Sequence, residues 1–427
     1  RANTERVARL TGGRLVADAN KLPADLPIGR RVAYWRGRRG LTQQHLADFL
    51  GKSKSWVDKV ERGVRRLDKL SVLHDIAAAL RVDVDRLLTT DSSEPIPSGR
   101  MVEASNEAKV DELRAVLTRY DHTAPASPVV GLPILRRSID YAWFALHAAA
   151  YPRLVTSLPN VIVDAQGAHA ECRSAETATI LSEAYQVAAD LLRKLGNHHL
   201  AWLAADRGVA VSTGADDRVL SARAALVLAG TVRDSGQPRH TLEICINVAH
   251  DMAPADPLDA DPEHLTVYGS LLLQAAMGAA HLDHPDTVRD LVDEAAGVAA
   301  AAAGARDVYR THFGEPLIGV IRTAAAVALK EPDQALAEHL QTTAHPKYVT
   351  LPAAVRADHL VDVARAHLDN KDATAAGRHL VQADRIAPAE VRERPAVLDL
   401  LRKTLLATDQ PGSDLRALVT AAGVDYL

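Results

Sequence analysis

The sequence is poor in the residues that mark many chemically specialised proteins. Its 427 residues include two cysteines, three methionines and three phenylalanines, and aromatic residues make up 4%. Cys172 and Cys245 stand far apart, with no histidine in metal-ligand spacing, so they offer neither a disulfide framework nor a metal site. Two lone cysteines suit a reducing, cytoplasmic setting. No stretch approaches the roughly 18 apolar residues of a membrane span; "GVAAAAAG" (297–304) is short and small-chained, a packed helix rather than a span. No secretory signal is visible. No phosphate-binding glycine loop, dinucleotide fingerprint, zinc-protease helix or nucleophile elbow occurs, and the eighteen histidines are scattered. Nothing arranges Asp, His and Ser in a catalytic order, so no enzyme, cofactor or metal is expected.

What is abundant is alanine, leucine, valine, aspartate and arginine, a composition that favours helix. Alternating strand patterns are rare; "PNVIVDAQ" (159–166) is the one candidate and is short enough to be a helix end. An all-α chain follows, and its length calls for more than one compact core.

Charge divides the chain. Residues 28–88 carry fourteen Lys and Arg against seven Asp and Glu, a balance of +7 in a chain whose total is -4. A small basic module attached to a large acidic body is the pattern of a nucleic-acid binder with a separate control region. Residues 1–27 read as a flexible arm. "TTDSSEPIPSGR" (89–100) opens a linker assigned to 89–103. From 104 to 427 the chain reads as successive helices.

This last region repeats. Helix pairs are punctuated by the turns "LGNHH" (195–199), "DSGQP" (234–238), "LDHPD" (282–286), "KEPDQ" (330–334) and "DNKDA" (369–373), with alanines recurring where helices must approach closely, such as Ala204, Ala275, Ala325 and Ala364. Each such unit buries its apolar face only against its neighbours. The spacing, roughly 40 to 48 residues, exceeds the 34 residues of a strict tetratricopeptide unit. A loose relative with longer helices is expected, with an irregular α-bundle as the alternative.

The most informative stretch is "LTQQHLADFLGKSKSWVDKVERG" (41–63). Thr42 can cap a helix from Gln43 to Leu50, Gly51 can end it, and Ser53 can cap the next. Stepping about 100° per residue from Val57 places Val60 inward, and Ser55, Lys59 and Arg62 outward with Asp58 beside them. Two helices joined by a tight glycine turn, the second presenting its N-terminal side chains, is the geometry of a helix-turn-helix. Asp58 on that outward face is either an acceptor for a cytosine amino group or a local partner for Lys54 or Arg62. Glu61 lies toward the core edge and suits a structural ion pair.

With "LSVLHDIAAALRVDVDRLL" (70–88), this stretch resembles the lambda-repressor/Cro-like, or XRE, family, through Thr42, Gln43, Ala47, Gly51, Ser53, Val57, Val60, Glu61-Arg62-Gly63 and the closing Val84 to Leu88. The resemblance covers residues 28–88 and implies a five-helix domain that binds double-stranded operator DNA as a homodimer. It implies that Gln43 clamps a phosphate and that Lys54, Ser55 and Lys59 read base edges. Trp56 would touch base or sugar, and Arg36, Arg38, Arg39, Arg65 and Arg66 would flank the groove on phosphates. Ser53 and Arg62 complete the expected DNA surface.

The region 104–427 resembles the tetratricopeptide-type sensor domains fused to such modules in actinobacterial regulators, and more distantly the peptide-sensing RRNPP regulators of quorum sensing. The closest likeness lies in "YRTHFGEPLIGV" (309–320) and residues 359–395. The resemblance implies a concave surface that takes a peptide or small-molecule effector, or a dimer contact. An acidic body would suit a cationic partner. Candidate groove residues are Trp202, Asp206, Arg207, Tyr268, Gln274, Arg310, His312 and Phe313. Another reading makes the chain a scaffold, in which the repeats hold a protein partner and the basic module is a tether.

Overall fold

The computed structural model describes residues 28–38, 42–50, 52–65, 76, 110–119, 130–254, 256 and 260–424. The arm at 1–27, the linker at 89–103, Gly51, Arg39, Arg66, the Arg38 side chain and the closing Val84 to Leu88 lie outside them. The chain divides into two compact units, residues 1–97 and 98–427.

In the first unit, α1 (Ile28–Arg38), α2 (Gln43–Phe49) and α3 (Lys54–Glu61) are in place. Val32, Leu46, Ala47, Val57, Val60 and Ile76 form its core. Helix α1 passes close against α3 because residue 29 is glycine: a Cβ there would fall 2.1 Å from the Val60 carbonyl oxygen. Gly63 ends α3 in the left-handed region, at φ 74°, where a side chain would be strained.

The second unit is all helix, apart from turns, among its described residues. A helix at 110–117 (α4) is followed by six antiparallel pairs. They are α5 (Leu132–His147) with α6 (Tyr151–Glu171), α7 (Ala175–Lys194) with α8 (His198–Ser212), and α9 (Arg218–Asp234) with α10 (Pro238–Met252). Next come α11 (Pro262–Ala280) with α12 (Pro285–Ala299), α13 (Glu315–Ala328) with α14 (Pro332–Ala344), and α15 (Ala353–Asp369) with α16 (Ala373–Ile386). Three shorter helices, α17 (Pro388–Arg392), α18 (Pro395–Leu406) and α19 (Ser413–Ala421), complete it. The candidate strand at 159–166 lies inside α6, which carries Pro159 within it.

All five expected turns fall between the two helices of a pair, and they share one backbone device. Gly196, Gly236, Asp283, Lys330 and Lys371 each take a left-handed φ between 59° and 80°. Each donates its N–H three residues back, and the residue after it donates five back. Asn197 to Leu192 at 2.8 Å and Glu331 to Ala326 at 2.9 Å are examples. This doubled bond satisfies the carbonyls that a helix C-terminus leaves open. Ala149, at φ 56°, makes the same turn between α5 and α6, a sixth instance. Prolines 238, 285 and 332 then start the second helices, where a missing N–H costs nothing.

The array does not remain open. One apolar cluster joins residues 113–205 to residues 354–424. At its polar edge Glu390, with no exposed surface, accepts from the Tyr151 hydroxyl, from Lys194 Nζ at 3.1 Å and from Arg394 Nη1 at 2.6 Å. Lys194 also reaches Asp358 at 3.0 Å, and Arg394 pairs with the same carboxylate. The first two pairs therefore meet the last, whereas an extended solenoid touches only its sequence neighbours.

Packed histidines, of which His359 is fully buried, are the other polar feature. His339 Nδ1 lies 2.9 Å from His359 Nε2, and the His367 and His379 rings stack at 5.1 Å. Burial, with neighbouring imidazoles adding to it, holds His359 at about 3 and His379 at about 4. His147, buried against His312, is likewise held at about 3. Among the described residues, no group of three metal-binding side chains is arranged to hold an ion.

Two outcomes follow for stability. Lysine in the left-handed region is strained relative to glycine, so Lys330→Gly should stabilise the repeat unit by about 0.5–1 kcal/mol, read from denaturant midpoints. The histidines have folded pKa values below those of the unfolded chain, about 6.5. Below that pH the unfolded chain takes up protons that the folded one refuses. The histidines should therefore make stability fall progressively from about pH 6.5 toward pH 4, partly offset below about pH 6 by Asp362, whose carboxyl burial pushes up to about 6, as thermal melts across that range would record.

Candidate DNA-reading helix and repeat cavity

Helix α3 is built from its cap outward. Ser53, in extended conformation, accepts a hydrogen bond from the Trp56 N–H at 3.2 Å and starts α3. Val57 and Val60 turn inward and are fully buried. Lys54, Ser55 and Lys59 are exposed on the other side. The uncapped N–H groups and positive end of the helix dipole make this end attractive to phosphate. Trp56 is half-buried, and the Arg65 guanidinium lies 5.8 Å from its ring centre. That stacking places Arg65 at the edge of the exposed face.

Asp58 has a partner. Arg62 Nη1 lies 3.2 Å from its Oδ2, one helical turn away, and both side chains are solvated. The Asp58–Arg62 pair fits the local-partner alternative. An exposed pair of this kind stabilises little, but it limits where the Arg62 charge can go.

Two expected phosphate contacts are turned inward instead. Glu61 is buried, and Arg36 meets it in a forked pair, Nε to Oε1 at 2.5 Å and Nη2 to Oε2 at 3.0 Å. Gln43 Nε2 adds a third hydrogen bond at 2.9 Å. The hydrogen bond to Glu61 raises the Arg36 pKa above its already high value, so the guanidinium stays charged. Arg36 is thereby a structural cation that ties α1 to α3. Gln43 has its amide nitrogen committed to Glu61, so it fixes the start of α2 against the end of α3. Local helical phase could not foretell this, because it needs three helices to converge.

In the repeat unit, the first helix of each pair faces inward and the second outward. Helices α5, α7, α9, α11, α13 and α15 line a cavity of about 820 Å³, together with the loop at 310–312, the first residues of α6 and α8 (Tyr151, His198) and the start of α18. This arrangement sorts the candidate groove residues. Arg310 and His312 line the cavity. Gln274 and Arg310 line an adjoining cavity of about 190 Å³. Trp202, Asp206 and Arg207 lie on α8, an outer helix, away from both; Trp202 is exposed, and Arg207 donates to the Arg119 carbonyl at 3.4 Å. Tyr268 is buried and donates its hydroxyl to Glu294. The Phe313 ring fills the space of a missing side chain at Gly269, where a Cβ would fall 2.1 Å from its Cζ. The structure places these five on the outer surface or in packing contacts, outside the lining of both cavities. Inner and outer helices alternate with the pairing phase, and the turns already gave that phase: the helix before each turn is the inner one.

The cavity wall also differs in charge from the body around it. It presents six Lys and Arg (Arg193, Lys194, Arg233, Arg310, Arg365, Arg394) against four aspartates (190, 234, 358, 362). Asp358 lies well below the usual carboxylate range: burial works against its charge, but Arg394 and Lys194 outweigh it. Asp362 is pushed up to about 6 by burial, which removes part of the negative charge near neutrality. The expectation of a cationic guest, drawn from the net acidity of the body, does not match this wall. The aspartates that would attract such a guest are occupied by arginine and lysine.

A basic three-helix core with a capped, cation-bearing third helix, and a helical array with an inward cavity, define a helix-turn-helix protein with a helical repeat domain. Residues 27–88 match the family described as "Helix-turn-helix domain". A stretch of 65 residues, 15% of this chain, is 34% identical to the HTH-type transcriptional regulator SlrR of Bacillus subtilis (strain 168) and covers 43% of that protein. The chain thus spans less than half the length of that curated relative. Among solved structures, the crystal structure of Bacillus thuringiensis PlcR in complex with the peptide PapR7 and DNA is similar over 74% of this chain and 96% of that one, at 12% identity and a TM-score of 0.31.

The Glu61 junction gives a direct expectation. Glu61→Ala strands Arg36 beside a vacated site and should cost about 3 kcal/mol. In calorimetry the transition of the N-terminal unit should move down or vanish, while that of the repeat unit stays in place.

Proposed function

We propose that the chain is a sequence-specific DNA-binding transcriptional regulator that works in the cytoplasm. The observation that carries this is the outward face of α3. Lys54, Ser55 and Lys59 are exposed just after a capped helix N-terminus, while Val57 and Val60 are buried behind them. Lysines there can donate to guanine O6 and N7 in the major groove, and Arg65 and Arg62 can follow the backbone. Residues 28–88 form the DNA-binding part, 89–103 the connection and 104–427 the control part. Two copies act on paired half-sites, as such modules require. The repeat cavity is the effector site, for a small molecule or a short peptide. Its occupant changes DNA affinity only by binding one arrangement of the protein more tightly than another.

Fluorescence anisotropy on a footprinted promoter fragment tests this reading. Lys54→Ala and Lys59→Ala should each weaken binding by about 1–3 kcal/mol. Each lost phosphate interaction should also make the log–log salt slope shallower by about 0.9. Unchanged affinity and slope in both variants would remove α3 as the reading element. Tight binding to a protein partner with no operator preference would favour the scaffold reading instead.

A further inference from the structure

Arg223, on α9, is buried to 7% exposure and makes no ion pair among the described residues. Its Nε donates to the Tyr309 carbonyl at 3.0 Å, and its guanidinium lies 5.1 Å from the Trp143 ring centre. Other cations nearby have counter-charges: Arg193 and Arg233 share Asp234, and Arg310 is held by Asp140. A buried charge without a partner is costly in a folded protein. Arg223 lines the 190 Å³ cavity, whose wall carries four arginines and one aspartate, Asp190.

Two helical turns along α9 on the same wall is Gly230. Two nitrogens flank the space its missing side chain leaves. A Cβ there would lie 3.7 Å from Gln274 Nε2 and 3.9 Å from Arg193 Nε. Both nitrogens are buried and have no hydrogen-bond partner. The Gln274 amide is oriented by its oxygen, which accepts from Arg233 Nη1 at 3.2 Å. The open space beside Gly230 is therefore bordered by two N–H donors with nothing to donate to. Orphaned buried donors of this kind are rare in a finished structure.

We propose that this small cavity binds an oxyanion, a carboxylate or phosphate carried by the effector. The oxyanion accepts from Gln274 Nε2 and Arg193 Nε beside Gly230, and Arg223 supplies a positive charge that no ion pair among the described residues takes up. The rest of the effector extends into the 820 Å³ cavity, with which this one shares Arg193, Arg233 and Arg310. The inference rests on the reading of the repeat unit as an effector domain, and it names the chemical class that domain recognises.

The test uses the full chain, melted in inorganic phosphate, in succinate and in chloride at matched pH and ionic strength. At about one hundred times its dissociation constant, the bound anion should raise the repeat transition by about 2 °C or more. A response to phosphate alone identifies a phosphoryl group, and a response to succinate a carboxylate. No response to either would overturn the proposal. Gly230→Ala should fold as well as the parent, since its methyl meets the two nitrogens at ordinary contact distance and alanine favours helix. It should lose the anion response, and a retained response would overturn the site. Arg223→Gln should weaken the response several-fold, and a full response would remove Arg223 from it. An intact anion response in a protein that binds no DNA would defeat the regulator reading and leave the site standing. DNA binding with no anion response would do the reverse.

Discussion

Each unit of this protein is organised around a carboxylate that has been removed from water. A buried carboxylate is stable only where cations and hydrogen-bond donors surround it, so it dictates which elements must meet. Glu390 has no exposed surface, and its partners are Tyr151, Lys194 and Arg394. These come from α6, α7 and the segment before α18, separated by up to 239 residues. Lys194 and Arg394 also share Asp358 on α15. The pairing therefore brings the last helices onto the first. Such a pair adds little net stability over an apolar equivalent, but it penalises other arrangements heavily, since any of them strands a charge.

The cavity is a consequence of that closure. Repeated helix pairs with left-handed turns create a curved array, and small residues such as Ala204, Ala276 and Ala364 let neighbours approach closely. Closure then joins the inner helices around a shared space. Because the closing groups are themselves charged and line this space, the cavity acquires cations and salt-bridged aspartates although the body as a whole is acidic. Glu61 plays the corresponding part in the small unit. It draws Arg36 from α1 and Gln43 from α2 to the end of α3. This spends two residues on holding α3, and it leaves Lys54, Ser55 and Lys59 facing outward. Asp58 then restrains Arg62 beside them.

The fold was legible where local chemistry decides it. Helical composition, the Ser53 cap, the Val57 and Val60 stripe and the five turns are all properties of short stretches. Gly196 and Gly236 announce left-handed turns because glycine favours that backbone. Ala149, Asp283, Lys330 and Lys371 adopt the same φ without announcing it, since there the doubled hydrogen bond, not the residue type, holds the conformation. The repeat pattern still exposed the last three, through the polar residues and prolines around them. The turn at Ala149 sits in the alanine run 148–150, with Pro152 as its one clear signal, and was missed. What depends on distant pairing was illegible. The engagement of Arg36 and Gln43 by Glu61 needs three helices. The cavity needs the closure of an array, so no local pattern could show that Trp202, Asp206 and Arg207 lie outside its lining. Arg223 and Gly230 drew no notice, because a buried arginine and a helical glycine look ordinary until their neighbours are known.

Regulation by this protein, as proposed, depends on the outward face of α3 reading base sequence. Selection of duplexes from a random DNA pool by the full-length protein, followed by methylation footprinting of the winners, tests it most directly. One enriched motif is expected, arranged as two related half-sites, with guanine N7 positions protected in the major groove. Lys54→Ala should also relax the preference at a defined position in each half-site. A pool that emerges unenriched, or a motif unchanged by Lys54→Ala and Lys59→Ala, would contradict it.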